Sequence, residues 1–185
     1  MHDRLLDAAQ TITVESGWAS VTMAKIGHRA KVSRQTVYNE FSNKADLATE
    51  LVNRELDRFL HLVRVRLLAH DDVVAGLTDA CEGALAMAHS SPLLRAALDL
   101  THNARNDLLP LLTTESQALI DTAVLTLETV ITSHYPETDV LPNELHLAAD
   151  AIVRLMLSHI TRPAASPSVA SAEIGWIASH MLKRP

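Results

Sequence analysis

Cysteine is almost missing from this chain. Cys81 stands alone, so no disulfide can form within it, and a reducing compartment is the expected setting. Glycine is scarce, with 5 residues in 185, and aromatic residues make up only 3%. Both shortages weigh against a sheet-rich fold, because strands favour aromatic side chains and hairpin turns favour glycine. No apolar run approaches the roughly 18 residues that a bilayer span requires. The opening residues, MHDRLLDAAQ, are charged and lack the apolar core of a secretory signal. A cytoplasmic protein with no membrane partner is therefore expected.

The signatures of catalysis are also lacking. There is no glycine-rich phosphate loop and no G-x-S-x-G elbow. Ten histidines invite a metal site, but none has another four residues away, and no Glu-x-x-His follows the di-iron pattern. Cys81 falls in an apolar helical run and reads as core rather than nucleophile. Neither enzymatic activity nor a cofactor nor a bound metal is expected.

What the chain does hold is alanine, leucine and helical periodicity, with 48% hydrophobic residues to build a core. Its formal charge of −6 is unevenly spread. Between Gly17 and Lys44 stand Lys25, Arg29, Lys31, Arg34 and Lys44 against Glu40 alone, a local +4 that leaves −10 elsewhere. A basic island on an acidic body is an electrostatic footprint for a polyanion that meets one end of the molecule.

That island coincides with a pattern of short helices. Leu5, Ala8, Ala9 and Ile12 form one apolar stripe over residues 3–16, and Gly17 marks its end. Thr22 suits the N-cap of a second helix carrying Met23, Ile26 and Ala30. Lys31-Val32-Ser33 reads as a turn, with Ser33 capping a third helix from Arg34 to Phe41. Two short helices joined by such a turn make a helix-turn-helix, whose second helix enters the major groove of DNA. Asn43 opens a fourth helix to about His70, long and without a flexible linker. Movement in the body is expected to travel along it as along a stiff rod.

Further on, the pattern predicts helices over Val73–His89, from Pro92 to about Leu100, over Leu111–Ser133, over Pro142–Thr161 and over Ser168–Lys183. A polar segment falls at 101–110. The total is about nine helices in an all-α fold. The expected division is a DNA-binding domain over 1–46 and a helical effector-binding and dimerisation domain over 47–185.

Gly17, Thr22, Ile26, Ala30, Val32-Ser33, Thr36-Val37-Tyr38, Phe41, Lys44 and Leu47 stand at the spacing found in the TetR (tetracycline-repressor-like) family of bacterial regulators, which residues 3–50 resemble. The resemblance implies a homodimer that binds a near-palindromic operator in double-stranded DNA, usually as a repressor released by a small molecule. It implies that Thr36 and Tyr38 contact phosphates, with Lys44 and Thr22 adding others, while Arg34 and Gln35 face base edges. Lys25, Lys31, Ser33 and Asn39 complete the expected DNA-facing set. The chemistry is apt: hydroxyls and helix N-termini suit phosphate oxygens, arginine suits guanine and glutamine suits adenine.

The stretch departs from the family pattern at three positions. Lys31 replaces a usual glycine at a turn position expected to need positive φ, a strain that a phosphate contact by its amine would offset. Gly27 replaces a usual alanine and would allow close helix packing. Glu40 replaces a frequent histidine; it would repel phosphate unless it pairs with Lys44 or accepts from cytosine.

For the body the resemblance implies an effector chamber and dimerisation through the last two helices. Leu85, Met87, Leu98, Leu112, Leu119 and Leu127 would supply apolar walls. Cys81, Glu82, His89, His102, Asn103 and Asn106 would supply polar contacts. Such a chamber favours an apolar effector, and the SRQTVYNEF recognition helix resembles that of regulators near hydrocarbon and fatty-acid genes, which points to an acyl-type molecule. Leu145, Ile152, Leu155, Met156 and His159 would form one half of the dimer face; Val169, Trp176, Ile177, His180 and Met181 would form the other. A body that serves only as a dimerisation or protein-interaction platform is the alternative.

Overall fold

Alanine and leucine at three- and four-residue spacing, with few glycines to interrupt them, leave little but helices. The computed structural model describes residues 1–98, 108–113, 116–138 and 140–182, and every regular element among them is helical. Contacts divide the chain into two compact units. One holds residues 1–55 and 91–115, the other 56–90 and 116–185.

In the first unit α1 (His2–Ser16) buries the expected stripe of Leu5, Ala8, Ala9 and Ile12, joined by Leu6 and Thr13. It stops at Gly17, whose φ of 75° suits glycine and whose N–H reaches the Thr13 carbonyl at 2.9 Å. A single 3-10 turn, Trp18–Ser20, then carries Trp18 into the core, a feature the periodicity did not disclose. The helices α2 (Met23–Ala30) and α3 (Arg34–Glu40) follow, and then α4 (Lys44–Leu67). Asn43 caps α4 as expected, its Oδ1 accepting from the Asp46 N–H at 2.9 Å. Trp18, Ile26, Val37, Phe41, Leu47 and Leu51 are all essentially inaccessible. The short α6 (Pro92–Leu98) also belongs to this unit and packs on α1. Ser91 precedes it, accepting from the Leu94 N–H at 3.3 Å and donating to the buried Glu55 carboxylate at 2.6 Å.

Helix α4 is unbroken over 24 residues, about 36 Å at 1.5 Å per residue. Its residues to Glu55 belong to the first unit and those from Leu56 to the second. In the second unit α5 (Val73–Ser90), α8 (Gln117–His134), α9 (Pro142–Thr161) and α10 (Pro167–Leu182) bury Leu77, Ile131, Ile152 and Ile174 around Leu67. Asp72 caps α5, accepting from the N–H groups of Val74 and Ala75. Pro142 and Pro167 begin α9 and α10, where the missing N–H costs nothing.

The expected seventh helix over Leu111–Ser133 is a correction. It is two helices, α7 (Leu108–Leu112) and α8, because a tight bond from the Thr113 N–H to the Pro110 carbonyl at 3.1 Å closes the first. The first seven residues of the expected polar segment, 101–107, lie outside the described residues.

Cys81 is buried at 5% exposure, and removal from water pushes its thiol up to about 12. At pH 8 the thiolate fraction is lower by about three orders of magnitude than for a free cysteine. The native chain is therefore expected to leave a chromogenic thiol reagent unreacted, while the chain in denaturant titrates one thiol promptly.

Candidate nucleic-acid interface

The candidate face is assembled by caps and one unusual backbone conformation. Thr22 precedes α2 in an extended conformation, and its Oγ1 accepts from the Lys25 N–H at 3.2 Å. Ser33 does the same for α3, accepting from the Thr36 N–H at 3.0 Å, with its Oγ 2.9 Å from the Thr36 hydroxyl. Each cap satisfies a donor that the helix cannot satisfy itself. Between the helices Lys31 adopts φ 55°, ψ 46°, the one non-glycine residue with positive φ among the described residues. The positive φ expected at this position is present. The Lys31 and Val32 N–H groups turn back to the carbonyls of His28 and Gly27, at 3.2 and 2.9 Å. A Cβ on Gly27 would lie 3.0 Å from the Val32 carbonyl oxygen, so the glycine permits this close return.

On α3 only Val37 is buried. Arg34, Gln35, Tyr38 and Asn39 are exposed, and Thr36 is half-buried. The exposed side chains pair along the helix: Arg34 donates to the Tyr38 hydroxyl at 3.1 Å and lies over its ring, 5.2 Å from the centroid. That hydrogen bond raises the Arg34 pKa further above its already high value. Gln35 donates to the Asn39 amide oxygen at 3.1 Å. These pairs hold the four polar ends in one row ahead of any partner, which lowers the entropy cost of contacting one.

The basic island is thinner than its residue count. Arg29 is spent on Glu15, with both guanidinium ends on both carboxylate oxygens at 2.5 and 2.6 Å. The pairing lowers the Glu15 pKa. Lys44 donates to the Trp18 carbonyl at 2.9 Å and lies over the Trp18 indole, 4.8 Å from the centroid. That bond draws its ammonium toward Trp18, whereas Glu40 is exposed at the end of α3. Lys25, Arg29, Lys31 and Arg34 are all exposed, and Lys44 is half-buried. Arg4, which carried no sequence signal, donates to the Ala30 carbonyl at 2.8 Å and so covers the C-terminal end of α2.

In the body, Cys81 and Leu85 are buried and Glu82 and His89 are exposed. His102, Asn103 and Asn106 lie outside the described residues. Leu145 and Ile152 belong to the core of their own unit. Leu155, Met156, His159, Ile177 and Met181 are half-buried; Val169, Trp176 and His180 are exposed.

Two family models match the chain. One, for bacterial regulatory proteins of the tetR family, covers residues 5–51. The other, the C-terminal domain of the bacterial tetracyclin repressor, covers residues 72–180, more than half of the sequence. The chain belongs to the TetR family. It is thus a DNA-binding transcriptional regulator with a helix-turn-helix, and the family is not one of enzymes.

Among TetR relatives, the HTH-type transcriptional regulator AlkX of Mycobacterium tuberculosis is 28% identical over 100% of this chain and 86% of its own length. The crystal structure of the TetR family repressor AlkX from Dietzia sp., implicated in biodegradation of n-alkanes, superposes with a TM-score of 0.78 at 27% identity. It covers 97% of this chain and 94% of that one. The fatty acid degradation regulator FadR from Bacillus halodurans shares the fold, with a TM-score of 0.67 at 17% identity over 100% and 97%.

Replacing Lys31 by glycine relieves the left-handed strain and is expected to stabilise the chain by about 1 kcal/mol, read as a higher urea midpoint at unchanged slope. Lys31→Ala, with the same backbone requirement, is expected to bring no such gain.

Proposed function

We propose that this regulator is a repressor that binds a near-palindromic operator as a homodimer and releases it when a small apolar effector, of acyl or related aliphatic type, enters its body. The observation that carries the DNA half is the row of exposed polar side chains on the one face of α3 opposite buried Val37, opened by the Ser33 cap. In this reading Arg34 and Gln35 meet base edges. Thr22, Ser33, Thr36, Tyr38 and Lys44 meet phosphates, and Lys25, Lys31 and Asn39 flank them. Lys44, tethered by Trp18 at the start of α4, is held at that end rather than ranging through solvent.

The dimer is supported by apolar surface on the last two helices. Trp176 is 66% exposed and stacks on His180, and Val169 is 50% exposed on the same helix. Large apolar side chains left open in this way mark association surfaces. The effector reading draws support from the aliphatic interior of the second unit and from the AlkX repressor implicated in biodegradation of n-alkanes. The functional division is placed at 46/47, with the effector and dimerisation roles in 47–185.

Operator affinity is expected to fall steeply with salt, through counterions released by the phosphate contacts. Against a site selected from random DNA, Arg34→Ala should cost about 1–3 kcal/mol at one base position and relax the choice there. Unaltered binding by Arg34→Ala would place the reading face elsewhere. Trp176→Asp should turn the sedimenting dimer into monomer and weaken operator binding. A thermal-shift screen of fatty acids, acyl-CoAs and alkanols, followed by operator release, tests the effector; no response from any of them would favour a platform role for the body.

A further inference from the structure

At the far end of α4 the His70 N–H returns to the Leu67 carbonyl at 3.4 Å, and a side-chain hydroxyl joins it there. The Tyr135 hydroxyl reaches the carbonyl oxygens of Leu67 and, at 2.9 Å, His70. Carbonyls at a helix C-terminus have no partner within the helix, and this side chain from just beyond α8 adds a donor to the long backbone bond. The socket is built for it: a Cβ on Gly76 of α5 would lie 2.7 Å from the hydroxyl and 3.0 Å from the Leu67 carbonyl. A second tie comes from Asp79, whose carboxylate takes Arg66 at 2.7 Å and His70 at 3.3 Å.

Tyr135 also lines a cavity of about 380 Å³ at the α8–α9 connection. Ile131, Pro136, Val140, Pro142 and Leu145 give it apolar walls, while Thr132 and Thr138 stand at its side. Among the described residues its one charged lining group is Glu128, held by His146 at 2.8 Å, and none of those that line it is a lysine or arginine. The size falls in the range of small-molecule sites. A carboxylate-headed molecule would meet a like charge there, and an ammonium would meet its complement.

We propose that this cavity is a small-molecule site for an aliphatic amine, seated with its ammonium on Glu128, and that Tyr135 couples its occupation to the C-terminal end of α4. The site goes beyond the effector reading, for it lies at the α8–α9 connection, at the edge of the aliphatic interior, and takes a cation. Burial foremost, then the charges of Asp72 and Asp71, raise the Tyr135 pKa, which keeps its hydroxyl protonated as a donor. A guest pressing on the ring shifts the hydroxyl from the Leu67 and His70 carbonyls and frees the last turn of the same helix that begins at Lys44.

The test uses the full chain without DNA, so failure of operator binding cannot be mistaken for failure of this site. Hexylammonium and hexanoate, equal in chain length, are titrated while hydrogen exchange is followed at the Leu68, Ala69 and His70 amides. Hexylammonium should speed exchange there by severalfold and hexanoate should not. Glu128→Gln should weaken the hexylammonium response about tenfold. Tyr135→Phe should exchange fast without any ligand and respond no further. Equal responses to the two probes, or a Glu128→Gln variant that titrates like the parent, would overturn the proposal. Glu128 lies outside the buried core, so this arm decides the matter even where Tyr135→Phe fails to fold.

Discussion

The reversal between α2 and α3 is made over three residues, and its geometry leaves the chain little choice. Lys31 turns left-handed, Val32 returns its N–H to Gly27 at 2.9 Å, and Ser33 caps the next helix. The exposed row on α3 depends on this sequence of events, since one residue more would rotate the helix by about 100° and bury the polar ends. Val37 and Phe41 then hold the helix down, and Arg34, Gln35, Tyr38 and Asn39 are left outside. The lysine at the left-handed position is a local cost borne within the turn of the helix-turn-helix.

The same concern with helix ends recurs through both units. Thr22, Ser33, Asn43, Asp72 and Ser91 take the free N–H groups at helix starts. At the other ends Arg4 serves the Ala30 carbonyl, and Tyr135 serves those of Leu67 and His70. Lys44 serves the Trp18 carbonyl in the 3-10 turn between α1 and α2. In a chain made almost wholly of helices, these termini are where backbone polarity remains to be satisfied, and they are where long-range side-chain bonds concentrate.

Local signals are legible because they involve neighbours in sequence. The bounds of α2, α3, α5 and α9 follow from caps, prolines and apolar spacing, and Gly17 and Gly27 were legible as a helix end and a close packing point. The break between α7 and α8 was not legible, since Pro110 lies in the first turn of a helix and the closing bond at Thr113 leaves no residue signature. Charge counting overstated the island: the partner of Arg29 is fourteen residues away and that of Lys44 is twenty-six. Neither Arg4 nor Tyr135 carried any pattern, because a carbonyl waiting at a distant helix end is invisible in sequence.

The residues themselves determined an all-α chain, a helix-turn-helix at one end and a strained lysine in its turn, because each rests on side-chain type and on spacings of three or four. Only the tertiary structure decided which cations of the basic stretch remain exposed and which apolar stripes close on their own core. It also decided which hydroxyl ends the long helix. Each of these is settled by partners brought together over long separations, and for the stretch from Thr22 to Leu47 that means four exposed cations, Lys25, Arg29, Lys31 and Arg34, of which Arg29 is paired with Glu15, beside a half-buried Lys44.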